Sequence, residues 1–354
     1  MSEPIRIQSH KGPYEVRFEH GEPLSSWSST VRFHVILDAR VGELYPHAVT
    51  RLAGSPCLTI EAAETAKALE RCPEYVEQLV SGGVRRGHTL LAIGGGVIQD
   101  ITCFLAAVLL RGLDWAFYPT TLLAQADSCI GSKSSINVGS LKNIVGTFTP
   151  PRQVVANTRF LETLPEAEIR SGIGEMLKVH AIDGPSSFDR IAADYGRLAT
   201  DAAILERYVR DSLLMKRRLI EADEFDEGVR RVMNYGHSFG HAIESATDFA
   251  IPHGIAVSMG MDMANWVAAG VGIAPASHFE RMHRVLARNY RGFERTAVPA
   301  DRLLQAIAKD KKNTDAGLTL VLPDTKGTIG LHSVRNDETF RRLCVAFLEE
   351  RRAA

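Results

Sequence analysis

Along the first half of the chain, short apolar runs alternate with stretches whose apolar positions recur at helical period. "RFHVILDA" (32–39) and "HTLLAIGGG" (88–96) read as strands, the first ending in Asp38 and the second running into glycines. "PCLTIEAAETAKALERCPEYVEQLVSGG" (56–83) reads as a strand edge followed by helices, and "VIQDITCFLAAVLL" (97–110) as a helix. "LDWAFYPTTLLAQAD" (113–127) begins as a strand and breaks at Pro119. Such alternation predicts a mostly parallel sheet covered by helices. From about Leu161 the pattern changes. "LPEAEIRSGIGEMLKVHAI", "DAAILERYVRDSLLMKRRLIEAD", "EGVRRVMNYGHSFGHAIESAT" and "HGIAVSMGMDMANWVAAGV" are helical in period, with few strand runs. The expectation is an α/β N-terminal domain over 1–160 and an all-α C-terminal domain over 161–354. The terminal "FLEERRAA" reads as a frayed, solvated helix end.

Composition narrows the function classes. At 354 residues and 45% hydrophobic, the chain exceeds what one core usually serves, which agrees with two domains. With 41 basic and 42 acidic side chains the formal net charge is −1, so nothing draws the whole molecule to nucleic acid or an anionic membrane. The five cysteines are scattered without a CxxC, the pattern of reduced thiols. The N-terminus has no apolar signal core and no run approaches a membrane span, so a soluble, cytoplasmic protein is expected.

Three places carry candidate chemistry. In "LLAIGGGVIQD" three glycines stand between a strand and a helix. Glycine lets a backbone approach a pyrophosphate, and a helix N-terminus offers unpaired N–H groups; the alternative is a tight turn needing positive φ. Asp38 is either a ribose-binding carboxylate or a solvated strand end, and its strand unusually precedes the glycine turn. In "VMNYGHSFGHAIE", His237 and His241 are four residues apart on a helical segment, and His253 follows in "IPHGIAV". They are metal ligands, a ligand with a base or supporting donor, or packed and capping histidines. Glu175, in an otherwise apolar helical stretch, is the best carboxylate partner, its alternative being an ion pair with Lys178 or His180. Two neutral histidines and one carboxylate would leave open positions on zinc. Finally, "ADSCIGSKSSINVGSLKNIVGTF" sets Asp127, Lys133, Lys142 and Asn143 among small residues, as a phosphate- or carbonyl-binding loop or a merely exposed one. Arg111, Lys216 and Arg230 add cations; converging on one cleft they would select an anionic substrate.

Read together, "GGGVIQD", "RGLDWAFYPTTLLAQADSCIGSKSSIN", "LKNIVGTF", "FLETLPEAEIRSGIGEMLK", "NYGHSFGHAIE" and "HGIAVSMGM" resemble 3-dehydroquinate synthase and the wider sugar phosphate cyclase family. They run in family order over roughly 85 to 265, and the later "KDKKNTDAGLTLVLP" is also similar. The resemblance implies a Rossmann-like NAD-binding domain, a helical metal- and substrate-binding domain, one zinc or cobalt ion, and an anionic sugar phosphate substrate. It assigns Glu175, His237 and His253 as metal ligands and leaves His241 for substrate or proton relay. Asp38, Glu64, Lys67, Gly95, Gly96, Asp100, Thr120, Thr121, Asp127, Lys142, Phe160 and Thr163 match cofactor-side positions. Lys133, Lys178, Lys216, Arg230 and Asn234 match substrate-side positions, and Arg111, Asn143 and Lys311 match contacts to the substrate phosphate. Arg111 would reach a neighbouring subunit's substrate, which implies a homodimer. Arg230, Asn234 and His241 are read as positions along one helical segment.

The implied reaction is conversion of 3-deoxy-arabino-heptulosonate 7-phosphate to 3-dehydroquinate and phosphate: transient oxidation by NAD, phosphate elimination, re-reduction and aldol closure. NAD is favoured over NADP because Asp38 would repel a 2′-phosphate, although Arg40 is close by. The chain departs from the family pattern at Gln99, Ser132 and Leu141, where glycine is usual, and at Arg40, where asparagine is usual. The alternatives are another sugar phosphate cyclase (an aminodehydroquinate synthase or a sedoheptulose 7-phosphate cyclase) and a metal-dependent polyol dehydrogenase.

Overall fold

A computed structural model describes residues 3–28, 31–139, 141–309 and 317–352. These form two compact units. One holds the chain up to Pro165 together with Lys216–Phe225, and the other holds Glu166–Met215 and the chain from Asp226.

The first unit is built on a seven-stranded sheet. Its strands are β1 (Ile5–Ile7), β2 (Tyr14–Phe18), β3 (Phe33–Asp38), β4 (Cys57–Ile60), β5 (Thr89–Gly94), β6 (Asp114–Pro119) and, after a separate hairpin of β7 (Ile136–Val138) and β8 (Leu141–Val145), β9 (Gln153–Ala156). The order is β1-β2-β9-β6-β5-β3-β4, parallel throughout except for β1 against β2. Central β5 is buried along nearly its whole length, whereas edge strand β4 alternates exposed and buried residues. That contrast follows from helices covering both faces of a parallel sheet. Val35, Leu37, Leu91, Ile93, Ala116 and Tyr118 form part of one core cluster. The chain leaves β3 towards β4 and then returns to place β5 on the other side of β3. The switch point of the sheet therefore lies between β3 and β5, at whose carboxyl ends an open α/β sheet binds its ligands.

The second unit is helical. Helix His253–Gly270 is buried on nearly every face, and Glu166–Asp183, His237–Ala246 and Ala276–Asn289 pack against it. This unit also carries an antiparallel hairpin, β10 (Leu318–Pro323) and β11 (Ile329–Val334), that its helical periodicity did not announce. Asp324 closes the hairpin turn by accepting from the Lys326 and Thr328 amides.

Three local readings are corrected. The segment "SINVGSLKNIV", read as loop, contains β7 and β8. The segment 347–352, read as a frayed and solvated end, has Phe347, Leu348 and Arg352 buried. Arg230, Asn234 and His241 do not share one helix. A 3-10 turn, Val229–Asn234, ends before Gly236, which is left-handed at φ 76°, and a new helix begins at His237. No helix among the described residues is long and apolar enough to cross a membrane, and all five cysteines are free thiols.

Candidate nucleotide and metal sites

The glycine turn lies at the switch point. β5 ends at Gly94 and helix Gly96–Val108 begins at once, with Gly95 as N-cap and no side chain capping it. None of the three glycines takes a positive φ. Gly94 and Gly95 are required by space: a Cβ at Gly94 would lie 2.5 Å from Ile98 Cγ1, and one at Gly95 2.8 Å from Thr121 Cγ2, whereas one at Gly96 would meet nothing within 4 Å. The turn is thus pressed against the strand end and the next loop, leaving a helix N-terminus suited to an anion. The unusual order of Asp38 is explained by pairing. β3 lies beside β5, with Leu37 opposite Ile93, so Asp38 stands next to Gly94 although 56 residues separate them in sequence. Asp38 also caps the following short helix, accepting from the Arg40 amide at 2.9 Å. Burial raises its pKa, and the Arg40 and Val41 amides oppose that rise.

Other cofactor-side candidates gather in the same unit. The Thr120 amide bonds Gly94 O at 2.9 Å, and the Thr121 hydroxyl accepts from the Ala124 amide at 3.2 Å. Phe160 is buried with its ring edge-on to Tyr45, whose hydroxyl meets Thr163 Oγ1 at 3.0 Å. Lys67, itself buried, holds Asp100 at 2.8 Å and Asn143 Oδ1 at 3.0 Å, with Glu64 at 3.7 Å. Burial raises Asp100 above the ordinary carboxylate range, against the pull of Lys67. Lys133 and Lys142 are exposed beside these groups in sequence. Arg111 is exposed, and it and Leu110 are consecutive left-handed residues at φ 69° and 53°, a strained pair.

Two assignments look different in three dimensions. Lys216 pairs with Asp127, Nζ to Oδ1 at 2.5 Å, and also bonds the Asp127 carbonyl at 2.6 Å. Gln99, where the family usually has glycine, is buried and locked to Ser128, donating to its carbonyl and accepting from its hydroxyl, each at 2.6 Å. Arg40 turns to Glu43 at 2.8 Å, and Leu141 is exposed on β8. Lys311 lies outside the described residues.

In the second unit, glycines bring three helices together at the histidines. A Cβ at Gly254 would overlap the Ser171 carbonyl, and one at Gly174 would overlap the Gly254 carbonyl, so helices Glu166–Asp183 and His253–Gly270 touch backbone to backbone. At Gly236 a Cβ would meet Met261 Cγ at 2.6 Å and Val257 O at 2.7 Å. Glu175, His253 and His237 are each the immediate neighbour of one of these glycines. Close approach of the backbones is what lets the short imidazole and carboxylate arms meet.

Glu175 Oε1 lies 3.3 Å from His253 Nε2 and 3.6 Å from His237 Nε2, while Oε2 takes Lys178 Nζ at 2.5 Å. Glu175 thus lies beside both histidines and Lys178, while His180 turns instead to Ser187. The Nδ1 atoms point away from Glu175: His237 donates to the Tyr235 carbonyl at 3.3 Å, and His253 faces both oxygens of Glu244 at 3.2 Å. Anchoring Nδ1–H in this way leaves the Nε2 lone pair as the ligand. His241, exposed on the next turn, completes a trio whose ligand atoms lie within 4.8 Å of one another.

The donor set fits a divalent ion. Tetrahedral zinc at about 2.1 Å from each ligand separates the ligands by about 3.4 Å, and the distances here are 3.3 and 3.6 Å. Burial, with Lys178 and the neighbouring imidazoles, keeps His237 neutral far below its ordinary pKa. Burial also opposes a charge on His253, but Glu175 and Glu244 outweigh it and raise its pKa to about 10. Glu244 is a residue the sequence reading missed; its place one turn after His241 in "GHAIE" was the available signal.

Comparison with solved structures defines the class. A 2-deoxy-scyllo-inosose synthase complexed with carbaglucose-6-phosphate, NAD+ and Co2+ is similar at TM-score 0.83 and 22% identity, over 97% of this chain and 99% of that one. The 2-epi-5-epi-valiolone synthase of Streptomyces hygroscopicus subsp. jinggangensis 5008, with NAD+ and Zn2+ bound, matches at TM-score 0.82 and 25% identity, over 96% and 97%. The fold is thus one found in sugar phosphate cyclases. Family profiles described as 3-dehydroquinate synthase N-terminal and C-terminal match residues 57–171 and 172–313. The 3-dehydroquinate synthase of Rhodospirillum rubrum is 38% identical, over 82% of this chain and 79% of its own. The chain belongs to the 3-dehydroquinate synthase family of sugar phosphate cyclases.

Proposed function

We propose that the protein is a 3-dehydroquinate synthase, converting 3-deoxy-arabino-heptulosonate 7-phosphate to 3-dehydroquinate and phosphate with NAD and one zinc or cobalt ion. The observation that carries this reading is the convergence of His237 Nε2 and His253 Nε2 on Glu175 Oε1 with both Nδ1 atoms anchored, in a chain 38% identical to a 3-dehydroquinate synthase. Glu175, His237 and His253 would hold the ion. The glycine turn, Asp38, Glu64, Lys67, Asp100, Thr120, Thr121, Lys142, Phe160 and Thr163 would hold the dinucleotide, with Asp127 supporting it.

When bound, the nicotinamide supplies hydride exchange and the ion polarises the substrate oxygen. The chain's own part is orientation and proton handling. Lys178, buried against Glu175, presents an ammonium beside the metal ligands and can hold the oxygen that becomes a carbonyl. His241, exposed beside the other imidazoles, is placed to exchange a proton with the substrate. Elimination of phosphate needs cations and hydrogen-bond donors where negative charge grows, the role we give to Lys133, Lys311 and a neighbouring subunit's Arg111, with Asn143 as the donor. NAD would act catalytically, so no NADH is expected to accumulate.

Substrate choice rests on the carboxylate of the heptulosonate, which sedoheptulose 7-phosphate lacks. Lys216 is engaged by Asp127, so the carboxylate role falls mainly on Arg230, assisted by Asn234. A guanidinium pairs a carboxylate in bidentate fashion, roughly twice as strongly as a neutral hydrogen bond. The test is release of phosphate and formation of the carbocycle from the heptulosonate, with sedoheptulose 7-phosphate as the rival substrate. Arg230→Ala should lower turnover about 100-fold or more while metal content and NAD affinity stay as in the wild type. Preference for sedoheptulose 7-phosphate would overturn the substrate assignment. NADH accumulating in step with product would point to a polyol dehydrogenase.

A further inference from the structure

The hairpin of β7 and β8 is tied to the nucleotide side of the first unit by Lys67, by a backbone bridge between Ala68 and Asn137, and by the Asn137 carboxamide. Asn137, buried in β7, accepts from the Asn143 amide at 2.8 Å through Oδ1 and donates from Nδ2 to Glu64 Oε1 at 2.8 Å. Asn143 takes a left-handed φ of 52°, a conformation that asparagine tolerates better than other residues with a side chain. The side chain of Asn143 is fixed as well, because Lys67 Nζ stands 3.0 Å from its Oδ1. An ammonium can only donate, so the amide oxygen must face Lys67, and the NH2 end is the end left to donate to an anion.

We propose that Asn137 is a positioning residue that sets Glu64 and Asn143 in register, so that one side chain fixes a dinucleotide contact and a phosphate contact together. The inference rests on the proposed function for the roles of Glu64 and Asn143, but not for the contacts themselves. Its chemical requirement is specific. The residue must accept on one side and donate on the other, which asparagine does and aspartate or alanine does not. Aspartate would keep the acceptor for Asn143 and set a carboxylate against Glu64. Changing Glu64 to glutamine at the same time would reverse donor and acceptor and restore the bond.

The test uses the full chain and three readouts. In the protein without ligands, the rate of tryptic cleavage after Lys142 reports opening of the hairpin, since cleavage follows local unfolding. In the metal-loaded protein, titration gives the NAD dissociation constant and steady-state kinetics give KM and kcat for the heptulosonate phosphate. Asn137→Ala should speed cleavage on the order of tenfold, and should weaken NAD binding and raise KM by similar factors with metal content unchanged. Asn137→Asp, isosteric and checked for folding by circular dichroism, should weaken NAD binding. Glu64→Gln combined with Asn137→Asp should recover most of the cleavage resistance that Asn137→Asp loses. Unchanged cleavage in Asn137→Ala would overturn the positioning role. Faster cleavage with unchanged NAD affinity and KM would overturn the coupling. If the wild type neither binds NAD nor turns over the heptulosonate, the proposed function fails, while the cleavage series still decides whether Asn137 holds the hairpin.

Discussion

Glu244 shows how much of the metal site lies one residue behind the ligands. Its carboxylate meets His253 Nδ1 at 3.2 Å through both oxygens, which turns Nε2 towards Glu175 and makes the ring more basic. Such a partner acts on the affinity of the site without touching the ion. Glu244→Gln keeps an acceptor and loses the charge, whereas Glu244→Ala loses both. We expect about a tenfold loss of zinc affinity in the first and up to about 100-fold in the second, measured by competition with a chromophoric chelator. Equal affinities in wild type and Glu244→Ala would show that His253 needs no such support. The same scale explains Gln99: its bulk, where glycine is usual, is absorbed by the reciprocal pair with Ser128.

Among elements, helix Glu166–Asp183 has the most to do, because it carries Glu175 and Lys178 and also packs His180 inside the second unit. His180 is buried, bonded through Nδ1 to Ser187, and burial lowers its pKa to about 4. A histidine is near 6.5 in the unfolded chain, so between about 6.5 and about 4 the unfolded state binds the extra proton. The stability contributed by neutral His180 is therefore complete above about pH 6.5 and is lost on acidification towards pH 4, by up to about 3 kcal/mol. Urea unfolding at pH 7 and pH 4.5 should show this loss, and His180→Gln should flatten the acid limb even if it costs stability at neutral pH. An acid limb unaltered by the substitution would assign it to other groups.

For the whole molecule, the open question is whether one chain makes a complete site. The strained Leu110–Arg111 pair, with Arg111 exposed, directs our expectation that Arg111 serves a neighbouring subunit in a homodimer. Arg111→Ala and Lys178→Ala should each be nearly inactive. Mixed and allowed to exchange subunits, they should recover roughly a quarter of wild-type activity, because half the dimers are hybrids and each hybrid has one intact site. Sedimentation would confirm the dimer. Failure of the mixture to recover activity, with exchange demonstrated, would place Arg111 in its own chain's site.

What the sequence determined by itself is the local chemistry and the class. Runs such as "HTLLAIGGG" and the helical period after Leu161 announced a parallel sheet followed by helices, since periodicity records which faces are buried. The ordered motifs announced the family for the same reason that a site needs given residue types at given spacings. Other features depended on contacts between distant segments, which no local window contains. The pairing of β3 with β5 sets Asp38 beside Gly94. The helix contacts at Gly174, Gly254 and Gly236 decide that Glu175, His237 and His253 meet. Lys216 had no partner legible in the sequence, and the fold sets Asp127 against it. Asn137 had no distinguishing mark in sequence and Glu244 only its place one turn after His241, because an amide or a carboxylate takes its role from the group placed opposite it.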